Sequence, residues 1–553
     1  MKKALLAVLL LLSFAALAPE AFADGGVCPR PAAGSEVTRP PDLYSKNGVL
    51  DVAMNYRTSV DALGRTLFCF VTKGGHESPT LHVNPGDTIN IKLTNMVPAA
   101  PGAPAEVVSR VGKVCGSATM TITSVNMHFH GTNTSPKCHS DEVIRTLVNS
   151  GQTFQYTLHI PKDEPPGLYW YHPHVHGISS KAVQGGASGA IEVEGIQNIQ
   201  PAVAGLSERY IVLRDQQQVT TTTVTYVTPP PNWDVSVNYV PVDWPRYTPA
   251  IIKMQTGSRE FWRVVNASAN TIMHLQVTYD GVAQPLQIVA LDGVPTGYKD
   301  GRHRGTIVTK NDILLSPASR VEFILAAPTS QSTHGVLKTL AIDGGPSGDN
   351  NPARPLANIV ATAAPVHLAS IPPATGYDHK MRFDDLANAP VTNKRKLYFS
   401  EVVQHRMGPK GVKPPDALPT RFFITVVGQK ETLFDPNNPP AITTTQGAVE
   451  EWIIQNRADE VHEFHMHQIH FALMERDGKP VPTEDQQILD TVNIPYWEGT
   501  GPYPSVTVRM DFRGPDIGDF VYHCHILDHE DGGMMAIIRV LPRTKDSAAD
   551  PSK

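Results

Sequence analysis

The chain has 553 residues, a formal net charge of −6, 18% charged and 41% hydrophobic residues. That is a globular balance, which excludes a disordered chain, and its slight acidity excludes a nucleic-acid partner, which needs a basic stripe. At about 150 residues per domain the length points to three or four domains. The 48 Pro and 42 Gly imply many turns, while 22 His and an odd five Cys stand out.

In chain order, Lys2 and Lys3 precede an apolar run from Ala4 to Ala18, and Ala21-Phe22-Ala23 supplies a small-x-small cleavage pattern. Residues 1–23 therefore read as a signal peptide with a mature start at Asp24, and the protein as exported, periplasmic or secreted. The run is short of the ~20 residues that a spanning helix needs, and no later stretch reaches that length, so no membrane span is expected.

A weak internal repeat follows. Residues 86–95 (GDTINIKLTN), 257–266 (GSREFWRVVN) and 447–456 (GAVEEWIIQN) each place a large apolar residue five positions after Gly (Ile91, Trp262, Trp452) and Asn at the ninth. Each reads as a turn followed by an alternating strand, which predicts three copies of one β-unit. Residues 167–174 (GLYWYHPH) and 518–525 (GDFVYHCH) share a second pattern, found in the first and last copies only. Short runs rich in Val, Ile, Thr and Tyr between turn clusters indicate an all-β sandwich architecture. Linkers near residues 195–205 and 363–377 set boundaries near 200 and 370, giving domains 24–200, 201–370 and 371–553. The tail after Pro542 is polar.

Histidines gather in four segments: His128-Phe129-His130, His172-Pro173-His174-Val175-His176, His462-Glu463-Phe464-His465-Met466-His467, and His523-Cys524-His525 with His529. Residues i and i+2 of a strand share a face, so each H-x-H pair aims two imidazoles at one point. The last segment adds a thiolate and a thioether. Cys524, His529 and Met534, with one further His, make the His₂Cys set with an axial Met that marks blue copper; the Cys pairs of structural zinc are missing. If Cys524 faces that ion, His523 and His525 face the other side of the same strand. Two metal centres then share three consecutive residues, an arrangement suited to electron transfer.

Together the four segments resemble the four copper signatures of the three-domain multicopper oxidases, the laccase family, in order along the chain. The resemblance implies three cupredoxin-like Greek-key β-sandwich domains in tandem, the middle one bridging without copper ligands, and four copper ions. By it, His462 joins Cys524, His529 and Met534 at the mononuclear type 1 ion. His128 and His465 are the type 2 pair. His130, His172, His174, His467, His523 and His525 serve the binuclear type 3 pair. Glu463 stands where the family commonly has Pro. Asp141 and Glu530 match the family's acids near the type 2 and type 3 ions, and become candidates for a proton relay. The axial Met534 predicts a low-to-medium redox potential.

The other histidines carry less. His176 and His470 match no family ligand and read as supporting or surface residues; His76, His82, His139 and His159 carry no signal. Cys524 must remain a free thiolate, leaving Cys28, Cys69, Cys115 and Cys138 with three possible pairings in an oxidising compartment. Cys115–Cys138 with Cys28–Cys69 is the favoured one. The implied activity is oxidation of phenols and aromatic amines by dioxygen in a monomer. The alternative is oxidation of Cu(I), Fe(II) or Mn(II), which the absence of a Met-rich run disfavours. A copper-free structural module is opposed by the intact ligands, and a two-domain nitrite reductase by the threefold repeat.

Overall fold

The structure, a computed structural model, describes residues 27–100, 114–219, 229–297, 305–375, 382–403 and 419–543. The signal peptide read at residues 1–23 lies outside them. Among the described residues strands dominate and the longest helix is Ser179–Gln184. None of these helices is long and apolar enough to cross a membrane.

The strands form three pairs of facing sheets, each around its own apolar core. In each pair the repeat strand occupies the same place. Thr88–Asn95 lies parallel to Val49–Val60, Arg259–Asn266 to Ser207–Gln217, and Val449–Asn456 to Asn393–Val402. The opposite edge of each repeat strand pairs antiparallel, with Thr153–His159, Arg320–Ala326 and Ser505–Asp511. Parallel neighbours cannot be joined by a hairpin, so the chain crosses between the two sheets, as in a Greek key. The fold is three tandem all-β sandwiches, as the sequence implied.

The spacing of the repeat has a direct cause. Ile91, Trp262 and Trp452 point into the three cores and are fully buried. The indole N–H of Trp262 donates to Glu260 at 3.0 Å and that of Trp452 to Glu450 at 2.8 Å, meeting the polar need of a buried Trp. The closing Asn of each strand is buried too. Asn95 Nδ2 donates to the carbonyls of Thr123 and Val148, Asn266 Nδ2 to Thr271 and Leu315, and Asn456 Nδ2 to Glu460 and Ile494. Each Oδ1 accepts the N–H two residues on, of Val97, Ser268 and Ala458. The amide thus ends the strand and pairs carbonyls that the ladder no longer reaches.

Two disulfides, Cys28–Cys69 and Cys115–Cys138, brace the first unit, and Cys524 is the free cysteine. The first and middle units meet over a buried guanidinium. Arg263 lies 2.5 Å from both Glu192 Oε1 and Glu208 Oε1 and also pairs with Glu322. Removing that cation strands three buried carboxylates. Arg263→Met is expected to cost about 3–5 kcal/mol, read as a lowered transition for these units in scanning calorimetry.

Candidate metal centre

Two strand pairs supply the histidines. His128–His130 runs antiparallel to Gly167–His172 in the first unit, with His172 opposite His128. His462–Met466 runs antiparallel to Gly518–Cys524 in the last, with His465 opposite His523 and Phe464 opposite Cys524. The strand period separates the donors into two groups. On one face Cys524 Sγ lies 3.7 Å from both His462 Nδ1 and His529 Nδ1, which are 3.0 Å apart. Met534 is buried in the same core, its carbonyl accepting the Cys524 N–H at 3.1 Å. A tight turn over the short helix Leu527–Asp531 brings Cys524, His529 and Met534 together.

On the other face the two halves meet. The His128 ring stacks on His467 at 3.8 Å and the His130 ring on His465 at 4.0 Å. His523 Nε2 lies 3.1 Å from His467 Nε2 and 3.3 Å from His174 Nε2, which makes His174, His467 and His523 one triplet. His130, His172 and His525 form a second, with ring centroids 5.0–5.9 Å apart. All eight imidazoles of this face are buried.

These side chains fit copper. Burial, with repulsion among neighbouring imidazoles, lowers the pKa of all ten histidines, to about 3 for His172 and His529 and about 4 for His523. Each is therefore neutral, with a lone pair to give. Four have Nδ1 held: His128 by Asp141 (2.9 Å), His172 by the Pro173 carbonyl (2.9 Å), His465 by the Asp490 carbonyl (2.8 Å) and His523 by the Cys524 carbonyl (2.8 Å). A donor hydrogen bond at Nδ1 fixes the tautomer and leaves the Nε2 lone pair for a metal. Nε2 of His128, His130, His172 and His465 is buried without a hydrogen-bond partner, as are both nitrogens of His525. Unmet buried nitrogens at this density are costly without a cation between them. Burial likewise pushes the Cys524 thiol up, so the thiolate needs the compensating charge of an ion. The Glu463 N–H, 3.4 Å from Cys524 Sγ, stabilises that charge further.

The two candidate acids, Asp141 and Glu530, each lie beside one of these histidines. Asp141 is buried, accepting from the Phe129 N–H at 3.0 Å and from Gln468 Nε2 at 2.6 Å besides His128. Glu530 is fully buried and neither oxygen has a hydrogen-bond partner; Oε2 is 3.9 Å from His174 Nε2 and Oε1 3.9 Å from His176 Nδ1. Burial raises its pKa to about 8. A cavity of about 560 Å³ lined by His174, His176, Phe434 and Met535 opens beside it.

Three residues escaped sequence reasoning. Arg320 of the middle unit reaches the centre, its Nη1 3.2 Å from His130 Nδ1 and its Nη2 2.7 Å from Asp490 Oδ2. Asp292 accepts the Arg320 N–H at 2.9 Å, and its carbonyl lies 2.9 Å from His470 Nε2. His470 thereby proves a buried support rather than a surface residue. No motif marks Arg320, Asp292 or Asp490; only the docking of the units brings them together. Glu463, in the place of a proline, is buried between units, with Ser316 and Asn493 donating to its carboxylate.

Family models described as multicopper oxidase match residues 119–198 and 413–544, the segments that carry the two histidine sets. A multicopper oxidase from Staphylococcus haemolyticus is 22% identical over 84% of this chain and 81% of its own. A laccase from Bacillus subtilis is 21% identical over 83% of this chain and 87% of its own. The solved structure of a Campylobacter jejuni multicopper oxidase, described as a metallo-oxidase, superposes with a TM-score of 0.64 at 21% identity, covering 92% of this chain and 96% of that one. The two matched segments and these relatives support a three-domain, laccase-like multicopper oxidase, an oxidoreductase with dioxygen as electron acceptor.

Proposed function

We propose that this chain is a laccase-like oxidase that takes single electrons from phenols and aromatic amines at a mononuclear copper and reduces dioxygen to water at a trinuclear one, with four copper ions in all. The observation that carries this reading is residues 523–525, where one strand gives its thiol to the first donor group and both flanking imidazoles to the second. His462, Cys524, His529 and Met534 would hold the mononuclear ion and His128 with His465 the type 2 ion. The triplets His174, His467, His523 and His130, His172, His525 would each hold one type 3 ion. When bound, copper supplies one-electron redox chemistry on one face and dioxygen reduction on the other.

The chain's own groups frame that chemistry. Phe422 stacks on the His529 ring at 4.3 Å and keeps water from one face, while the ring edge stays slightly open to a reductant. Asp141 holds His128 in the tautomer that presents Nε2. The raised pKa of Glu530 keeps a proton on its carboxyl at neutral pH, between the cavity and His174. The proposal includes export after removal of residues 1–23. In it residues 24–200 and 371–553 carry the halves of the copper centres, and 201–370 bridges them.

A second reading, oxidation of Cu(I), Fe(II) or Mn(II), rests on the carboxylates beside His529. Glu460 Oε1 is 3.4 Å from His529 Nε2. Burial, and then the neighbouring Glu401, Asp349 and Asp459, push the Glu460 pKa well up. A cation docked there relieves that repulsion.

Three outcomes check these statements. Cys524→Ser is expected to abolish the blue colour and all substrate oxidation in a protein whose circular dichroism is unchanged; retained blue absorbance sinks the assignment. Glu530→Gln is expected to lower kcat for oxygen consumption by about 10²-fold with the colour intact. Oxygen uptake with a dimethoxyphenol against Cu(I), Fe(II) and Mn(II) decides the substrate. A kcat/KM for one metal ion higher by orders of magnitude, and lost in Glu460→Gln, replaces the phenol oxidase with the metallo-oxidase.

A further inference from the structure

We infer that the first unit carries a divalent-cation site apart from the copper centres, built from His82, Glu192 and Glu194. Strand register assembles it. His82 on Thr80–Val83 stands between Tyr44 on one parallel neighbour and Glu192 on the other. Asp42 and Glu194, each two residues from those partners, lie on the same face. His82 Nδ1 is 2.9 Å from Glu194 Oε1 and 3.4 Å from Glu192 Oε2, spacings suited to three donors around one ion of ~2.1 Å bond length. His82 Nε2 is 3.1 Å from Asp42 Oδ1. That is the carboxylate–imidazole–metal arrangement in which the outer acid fixes the ring and frees the other nitrogen's lone pair.

Two further observations point to a cation. Glu192 is 1% exposed, Arg263 holds its Oε1, and its Oε2 has no hydrogen-bond partner and faces the cluster. The carboxylates are also crowded. Among the described residues, Asp42, Glu192, Glu194, Glu208 and Glu322 pair with Arg39, Arg263 and His82, and burial together with the neighbouring carboxylates pushes the Glu192 carboxyl well up. A divalent ion bound there would relieve that crowding. Access exists, since a groove of about 820 Å³ lined by Tyr44, Ser45, His82, Asp87, Lys162 and Glu194 opens onto the cluster. One imidazole and two carboxylates suit Zn²⁺ or Mn²⁺. Because Glu192 also pairs with Arg263, the ion would brace the junction of the first and middle units.

The test is equilibrium dialysis of the copper-loaded, full-length protein against Zn²⁺ and, separately, Mn²⁺, followed by metal analysis. One equivalent is expected beyond the copper content. It should be lost in His82→Gln and Glu194→Gln, and held about 10- to 100-fold more weakly in Asp42→Asn. Blue absorbance should persist in every variant, and Glu460→Gln should retain the extra ion, which separates this site from the carboxylates at His529. No metal above the copper content overturns the proposal, as does retention unchanged in Glu194→Gln. That variant sits at the groove edge and decides the matter even if His82→Gln fails to fold.

Discussion

A strand turns successive side chains to opposite faces, and the whole centre depends on that period at residues 523–525. It lets one thiol serve one group of donors while its two neighbours serve another, with only backbone between them. Everything around the strand keeps it that way. The ladder with His462–Met466 sets which imidazoles stand across from it, and the turn through Leu527–Asp531 returns His529 to the thiol. The first unit then closes the far side, stacking His128 on His467 and His130 on His465.

Packing this many imidazoles away from water works against folding. The protein limits the cost by spending the Nδ1–H of His128, His172, His465 and His523 locally, on a backbone carbonyl or on Asp141, so that their Nε2 lone pairs stay available. The middle unit contributes to the same end. It gives no imidazole, yet Arg320 with Asp292 anchors Asp490 against His130 and His470. Ser316 meanwhile holds Glu463 beside the thiol. A unit that the sequence marks only as a bridge therefore forms part of the wall of both donor groups.

Which features were legible follows the range of the interactions. The repeat of Gly, large apolar residue and Asn is local, since strand, core residue and strand-closing amide sit within ten positions, so three units could be counted from the sequence. The H-x-H pairs and the residues from Cys524 to Met534 are local for the same reason. The split into two triplets of the six histidines proposed for the type 3 pair was not readable, because it depends on how the first and last units dock. Arg320, Asp292 and Asp490 were invisible for that reason too. His82 was set aside as carrying no signal: its partners arrive from strands about 40 and 110 residues away, and only parallel register lines them up.

The division of the histidines between the two ends of the chain bears on maturation. Until the terminal sandwiches dock, His128, His130, His172 and His174 are half a centre, a set of paired imidazoles with no complement. Imidazole pairs bind several divalent ions, and although the Irving–Williams order puts copper above zinc, an abundant ion of lower affinity competes for them. Only the docked units, joined through the Arg263 and Arg320 contacts, bring both sets of imidazoles into one cage whose geometry adds to ligand type in selecting an ion. In this architecture the salt bridges between units belong to the metal cage as much as to the fold.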